Sequence, residues 1–412
     1  MLRPREVRRD RKRNRAGSEI KPKEKTFRYR TTTNEMPFNE YYGNGRIVTA
    51  LRGMLARERV PHAMLFAGPR GIGKFTLALM FAQAANCERR APGDPAKERP
   101  AGDDFCGECP TCKKIGELAD HGSLIERGLE SRGASPDTAT VERVPLILQT
   151  HPDVWLLAPD PVRLRNPVAR PVLRLGQLRA VQRAAQFVPS ARRRIFLLEG
   201  AETMTEANSN AFLKILEEPP ETSTLILMTS QPDALLPTIR SRCLQFFFAP
   251  LPAEDVERVL GEHGKMAPAA RRLAAQLSRG CPGAALALDL DESKRLRREA
   301  LHLIERAAAG RNFAEVFQLT AQLTKGESLS FENLLELFYN VFHDLLDAVS
   351  GVSVPALRNP DLRGEIEALA KRVPMDWVAR AVGRLDVLSS GARRNTNRQL
   401  GLDSMATALV SR

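Results

Sequence analysis

Phe66-Ala67-Gly68-Pro69-Arg70-Gly71-Ile72-Gly73-Lys74-Phe75 is the stretch whose reading decides the fold. Gly68, four residues, then Gly73-Lys74 is the spacing of a phosphate-cradling loop, in which backbone N–H groups and a lysine surround nucleotide phosphates. Position 75 breaks the pattern. A working loop places a Ser or Thr hydroxyl there to hold Mg²⁺, and Phe75 has no oxygen to offer. Thr76 comes one residue late, about 100° further round a helix. Upstream, Met64-Leu65-Phe66 reads as a short buried strand; downstream, Leu77, Ala78, Met80, Phe81 and Ala84 read as a helix packed on it. Strand, glycine loop and helix together predict an α/β domain with a parallel sheet. Gly68, Gly71, Gly73, Lys74, Phe75 and Thr76 are its candidate nucleotide-binding residues, and the site has lost part of its chemistry.

At 412 residues the chain has room for about three domains. Its apolar runs stop short of the roughly 20 residues that span a bilayer, and no apolar segment follows the basic start, so a cytoplasmic protein is expected with no membrane partner. A net charge of +13 invites a nucleic-acid partner. Much of that charge sits in residues 1–35, which carry thirteen Lys/Arg against five Asp/Glu and have few apolar side chains. That segment reads either as a disordered basic arm or as a start upstream of the true one at Met36. The remaining chain is only about +5.

Cys87, Cys106, Cys109 and Cys112 form two overlapping Cys-x-x-Cys pairs with a distant fourth thiol. This spacing makes a tetrahedral Cys₄ zinc site easy to build, within a module at 87–112. Four thiolates fill the coordination shell, so the role is structural rather than catalytic: the ion clips a loop that cannot fold alone. Cys243 and Cys281 read as small buried apolar residues. Residues 113–150 are interrupted by Gly122, Gly128, Gly133 and Pro136 and are assigned mostly to loop. His151-Pro152-Asp153 reads as the end of that loop before a strand at Val154–Leu157, not as a metal or acid–base pair.

Leu175, Leu178, Val181 and Ala185 mark the next helix, and Ile195–Leu198 the next strand. In a hydrolysing P-loop ATPase of the AAA+ type this strand ends in Asp-Glu, for the metal and the attacking water. Here it ends Glu199-Gly200: Glu199 could replace the Asp at longer reach, but Gly200 stands at the position of the general base. Phe75 and Gly200 are independent losses, and together they argue against hydrolysis.

Beyond this strand stand Asn210-Ala-Phe-Leu-Lys-Ile-Leu-Glu-Glu-Pro-Pro220 and Leu236-Pro-Thr-Ile-Arg-Ser-Arg-Cys243. In combination they resemble the AAA+ clamp-loader subunits of bacterial DNA polymerase III. The resemblance takes in His62-Ala63, the Cys₄ module, His151-Pro152-Asp153 and Asn395–Asp403, which is similar to the last helix of the family's collar. It implies an α/β AAA+ domain at 36–250, a helical lid at 251–291 and an all-α collar domain at 292–412, part of whose wide apolar stripe (Phe331, Leu334, Leu335, Phe338 and onward) meets neighbouring subunits. The family contains a gamma/tau ATPase motor and a degenerate delta-prime type. Phe75, Gly200 and Pro282-Gly283, where the motor's lid carries a sensing arginine, all resemble the delta-prime type. That resemblance implies that Arg242 serves as an arginine finger in a neighbouring gamma/tau site, although a local salt bridge is the plainer reading of such a residue. It further implies gamma/tau and delta as partners, with the sliding clamp (beta) and primed DNA in the assembled complex. ATP or ADP could still occupy the cradle without turnover. Two other readings are a gamma/tau-type motor, which would hydrolyse ATP alone, and a stand-alone zinc-dependent DNA-binding protein, which the modest charge of the folded part disfavours.

Overall fold

The computed structural model describes residues 37–90, 104–132, 137–161, 171–263, 266–310, 312–325, 331–351, 357–392 and 397–410. The basic segment 1–35 and the start of the Asn395 motif lie outside these residues.

Six strands form one sheet: β1 (Ala63–Ala67), β2 (Leu148–His151), β3 (Val154–Leu157), β4 (Arg194–Leu198), β5 (Ser223–Thr229) and β6 (Leu244–Phe247). Their order is β2-β3-β4-β5-β1-β6. All pairings are parallel except β2 with β3. Strands β1, β4 and β5 are buried along their whole length. Helices cover both faces, which is why these strands read as unbroken apolar runs and not as an alternation. The register sets Ala67 beside Thr229 and Phe247, and Leu198 beside Leu157 and Leu227. The carboxyl ends of β1, β4 and β5 therefore open onto one edge, where ligands bind in open α/β sheets.

One face of the sheet carries the helices Gly45–Ala56 and Lys74–Asn86, and their apolar core continues into a lid of three helices, Ala253–His263, Pro268–Leu277 and Pro282–Ala287. The other face is packed by Leu175–Ala185 and Glu206–Glu217. Lys74–Asn86 is buried on every side from Leu77 onward, as expected of a helix that is apolar all round. A separate core holds the helices Leu290–Ala309, Phe313–Lys325, Phe331–Ser350, Arg363–Ala370, Met375–Ala392 and Arg398–Val410. In it the rings of Phe342 and Trp377 stand 6.4 Å apart, and buried Arg297 is paired with Asp361 at 2.6 Å.

The loop expected over 113–150 is corrected by the structure. It contains the helices Pro110–Gly116, His121–Glu130 and Thr138–Arg143, and ends in β2. Ile115 and Leu118 are fully buried in the same core as the Lys74–Asn86 helix, so tertiary packing holds helix where glycines interrupt the local period.

Candidate functional site

The glycine loop joins β1 to the helix Lys74–Asn86, so Lys74 stands at the sheet edge where the parallel strands end. Its Nζ donates to the carbonyl oxygens of Gly68 and Pro69 at 2.6 and 2.8 Å. Burial lowers the Lys74 pKa from 10.5 to about 8, against the opposing charges of Glu202 and Glu199. The carboxylate acting most strongly on this lysine is thus Glu202, not Glu199. Glu202 accepts from the Ser230 hydroxyl at 2.7 Å, and its second oxygen is buried with no partner among the described residues. Ser230 directly follows β5, the neighbour of β1, which brings it across from the loop.

A cavity of ≈ 770 Å³ lies between the loop, the lid and the segment around His121. That volume falls within the range of small-molecule sites. Gly71, Gly73, Lys74, Phe75, Thr76 and Glu199 all line it, as do Glu202 and Ser230. Thr76 thus faces the same cavity as Phe75, despite its place one residue further round the helix. Gly68 lies beneath the loop, packed on Phe248: a Cβ there would stand 2.8 Å from the Phe248 Cβ.

Three features set the chemistry of this cavity. Phe75 turns its ring edge-on to His121, with centroids 5.1 Å apart and planes at 71°, which puts two aromatic rings beside the place of a metal-binding hydroxyl. Gly200 adopts a left-handed conformation (φ 61°), and a Cβ there would lie 2.8 Å from the Pro159 Cγ. A side chain at position 200 itself would therefore be strained in conformation and crowded by Pro159. The lid closes on the loop through backbone: Gly283 N–H donates to Gly71 O at 2.8 Å.

The four cysteine Sγ atoms lie within 4.8 Å of one another, with Cys87 and Cys106 3.6 Å apart. Sulfurs at about 2.3 Å from one tetrahedral ion stand roughly 3.8 Å from each other, so the cluster fits a single metal ion. Backbone N–H groups of Cys109 and Cys112 point at the Sγ of Cys106 and Cys109, at 3.3 and 3.4 Å. Without an ion the thiols share protons: a hydrogen bond from Cys112 lowers the Cys87 pKa, and the same bond raises that of Cys112. Gln83, buried on the loop helix, braces this region: its Nε2 donates to Cys112 O at 3.0 Å.

Arg242 lies just before β6, the strand beside β1, at the end where these parallel strands begin and so opposite the glycine loop. Its guanidinium donates to Glu217 Oε1 at 2.9 Å and to Thr238 O at 3.0 Å. The pair is open to solvent, with side chains 36% and 49% exposed. Within this chain Arg242 makes the local ion pair of the plainer reading, and it does so at the surface.

His151 and Asp153 serve the fold. The Asp153 N–H donates to His151 Nδ1 at 3.1 Å, and the Asp153 carboxylate accepts from Ser190, Ala191 and Arg194. Sequence reasoning missed Glu202, Ser230 and His121. Ser230 was recoverable from its place after the strand beside β1; His121 carries no signal, because its role comes from a contact made only in the folded chain.

The chain is 30% identical over 223 residues to DNA polymerase III subunit tau/gamma of Haemophilus influenzae, covering 54% of this chain and 25% of that protein. It is 34% identical over 190 residues to the delta' subunit of Pseudomonas aeruginosa, covering 46% and 43%. It thus spans less than half the length of these relatives. A gamma subunit-related protein of Thermotoga maritima aligns over 71% of this chain and 98% of its own at 18% identity, with a TM-score of 0.33. Residues 43–252, just over half of the chain, match the family model described as DNA polymerase III, delta subunit, and the chain belongs to that family of clamp-loader subunits.

Proposed function

We propose that this chain is a delta-prime-type subunit of a DNA polymerase III clamp loader, which does not hydrolyse ATP itself and lends Arg242 to a neighbouring gamma/tau site. Gly200 carries the reading. Held left-handed against Pro159, it puts no side chain at the position from which a general base would polarise the attacking water. Phe75 removes the hydroxyl that would hold Mg²⁺, and the lid backbone lies directly on Gly71. The chain's own site keeps a cradle, Gly71 to Lys74, able to take ATP or ADP without turning it over.

Arg242 supplies what a neighbouring site needs. A planar guanidinium neutralises charge developing on a transferred phosphoryl group, an effect on the order of 10³-fold or more. The four thiolates of Cys87, Cys106, Cys109 and Cys112 hold a structural Zn²⁺, which clips the insertion to the end of the loop helix. In this reading residues 36–250 form the AAA+ domain, 251–291 the lid and 292–412 the collar that joins gamma/tau and delta. The assembly, in the cytoplasm, loads the beta clamp onto primed DNA.

ATP turnover by the isolated chain tests the reading. No hydrolysis above background is expected, whereas Mg²⁺-dependent turnover would place the chain with the gamma/tau motors, a reading that the retained Lys74 and the open cavity otherwise favour.

A further inference from the structure

The glycine-loop helix carries a different group at each end. Lys74 faces the cavity at its start, and Cys87 caps its end as one of the four clustered thiols. Thirteen residues at about 1.5 Å each put some 20 Å between them. After Cys106 and Cys109 the chain returns along this helix. Cys112, Ile115 and Leu118 are buried in its core, and fully buried Gln83 bonds the carbonyl of Cys112. The return ends at His121, whose ring meets Phe75. A second tie runs through the N-terminal side. Buried Asp104 accepts the Phe38 N–H at 3.3 Å, and the rings of Phe38 and Phe105 stand 6.1 Å apart. Three residues further, the Tyr41 hydroxyl oxygen sits 2.8 Å from where a Cβ on Gly73 would stand. Two walls of the cavity, at Tyr41 and His121, are therefore fastened to the cysteine module.

We propose that the Cys₄ insertion is a metal-set brace for the glycine-loop cavity, with His121 as the positioning residue that transmits the state of the metal to Phe75. A short insertion built around four thiols has little core of its own, so metal binding supplies its folding free energy. His121 Nδ1 is closed off from solvent and has no hydrogen-bond partner among the described residues. The ring is placed by packing alone on that side, so it moves when the helix start that carries it moves. The inference rests on the cluster holding a metal ion, and is independent of the role proposed for Arg242.

Hydrogen–deuterium exchange on the full chain tests it, with bound metal measured in the same samples. Metal extraction is expected to speed exchange about tenfold in peptides covering 71–80 as well as in 104–125. The helix Phe331–Ser350, in a separate core, should keep its rate. His121→Ala should retain its full metal content and still show faster exchange over 71–80, which separates transmission from loss of the module. The proposal is overturned by metal loss that loosens 104–116 and leaves 71–80 unchanged, or by fully metal-loaded His121→Ala with wild-type exchange there. A chain that purifies without metal overturns it as well, and does so by removing the metal itself.

Discussion

Arg242 and Glu217 form a surface pair at 2.9 Å, and exposed pairs of this kind contribute about 0–1 kcal/mol. Releasing the arginine toward a neighbour therefore costs little. Glu217→Gln is expected to leave the melting temperature of the chain within about 2 °C of wild type; a larger fall in a thermal melt would show that the pair is structural. Phe75→Ser restores a hydroxyl but not the geometry at Gly200, so the variant is expected to remain without ATP turnover in a phosphate-release assay. Hydrolysis by that single variant would contradict the account of Gly200. Lys74 gives a pH signature. Its pKa is about 8 in the fold against 10.5 for the free side chain, so between these values the unfolded chain binds the extra proton. Stability then rises with pH across that window and is lost as pH falls through 8. Wild type should gain stability relative to Lys74→Met from pH 8 to 10.5 in denaturant titrations, and a flat difference would rule out the shifted lysine.

Among the elements, the lid depends on the glycine loop. Gly71 has φ 76°, and a Cβ there would stand 2.5 Å from the Ala284 nitrogen. Gly71→Ala is expected to cost roughly 1–3 kcal/mol from the backbone alone and to loosen the helix Pro282–Ala287, measured by chemical denaturation and by proteolysis in the lid. Unchanged stability would mean the lid does not seat on the loop. The strand, loop and helix from Ala63 to Asn86 were legible in the sequence because glycine spacing, apolar run and helical period agree there. The cysteine cluster was legible by spacing alone. The insertion was not: its helix Pro110–Gly116 has seven residues, too few for a clear period, and it is stabilised by burial against a helix distant in sequence. Strand β6 was missed because its side chains are mostly exposed, with Phe247 at 64%, so no buried alternation marks it. Glu202 was overlooked since it lies past the end of β4, and only the turn at Gly200 brings it toward Lys74.

At the scale of the whole molecule, the sheet carries different groups at the two ends of its parallel strands. The carboxyl ends of β1, β4 and β5 hold a cavity with Phe75 at the position of a metal-binding hydroxyl and Gly200 at that of a general base. The opposite end of the strands, before β6, carries Arg242 with its side chain 36% exposed. In the proposed reading, a cradle without turnover and an arginine at the surface suit a chain that completes a site on another subunit. The apolar core beyond Leu290 is separate from the cores that flank the sheet, and in the proposed reading it is the body that joins neighbouring subunits. The most direct test is ATP turnover by a loader reconstituted from gamma/tau, delta and this chain, comparing wild type with Arg242→Ala. The account predicts that the variant assembles, and that turnover at the site it adjoins falls on the order of 10³-fold, so that total turnover drops by that site's share. Wild-type turnover by a fully assembled Arg242→Ala loader would contradict it.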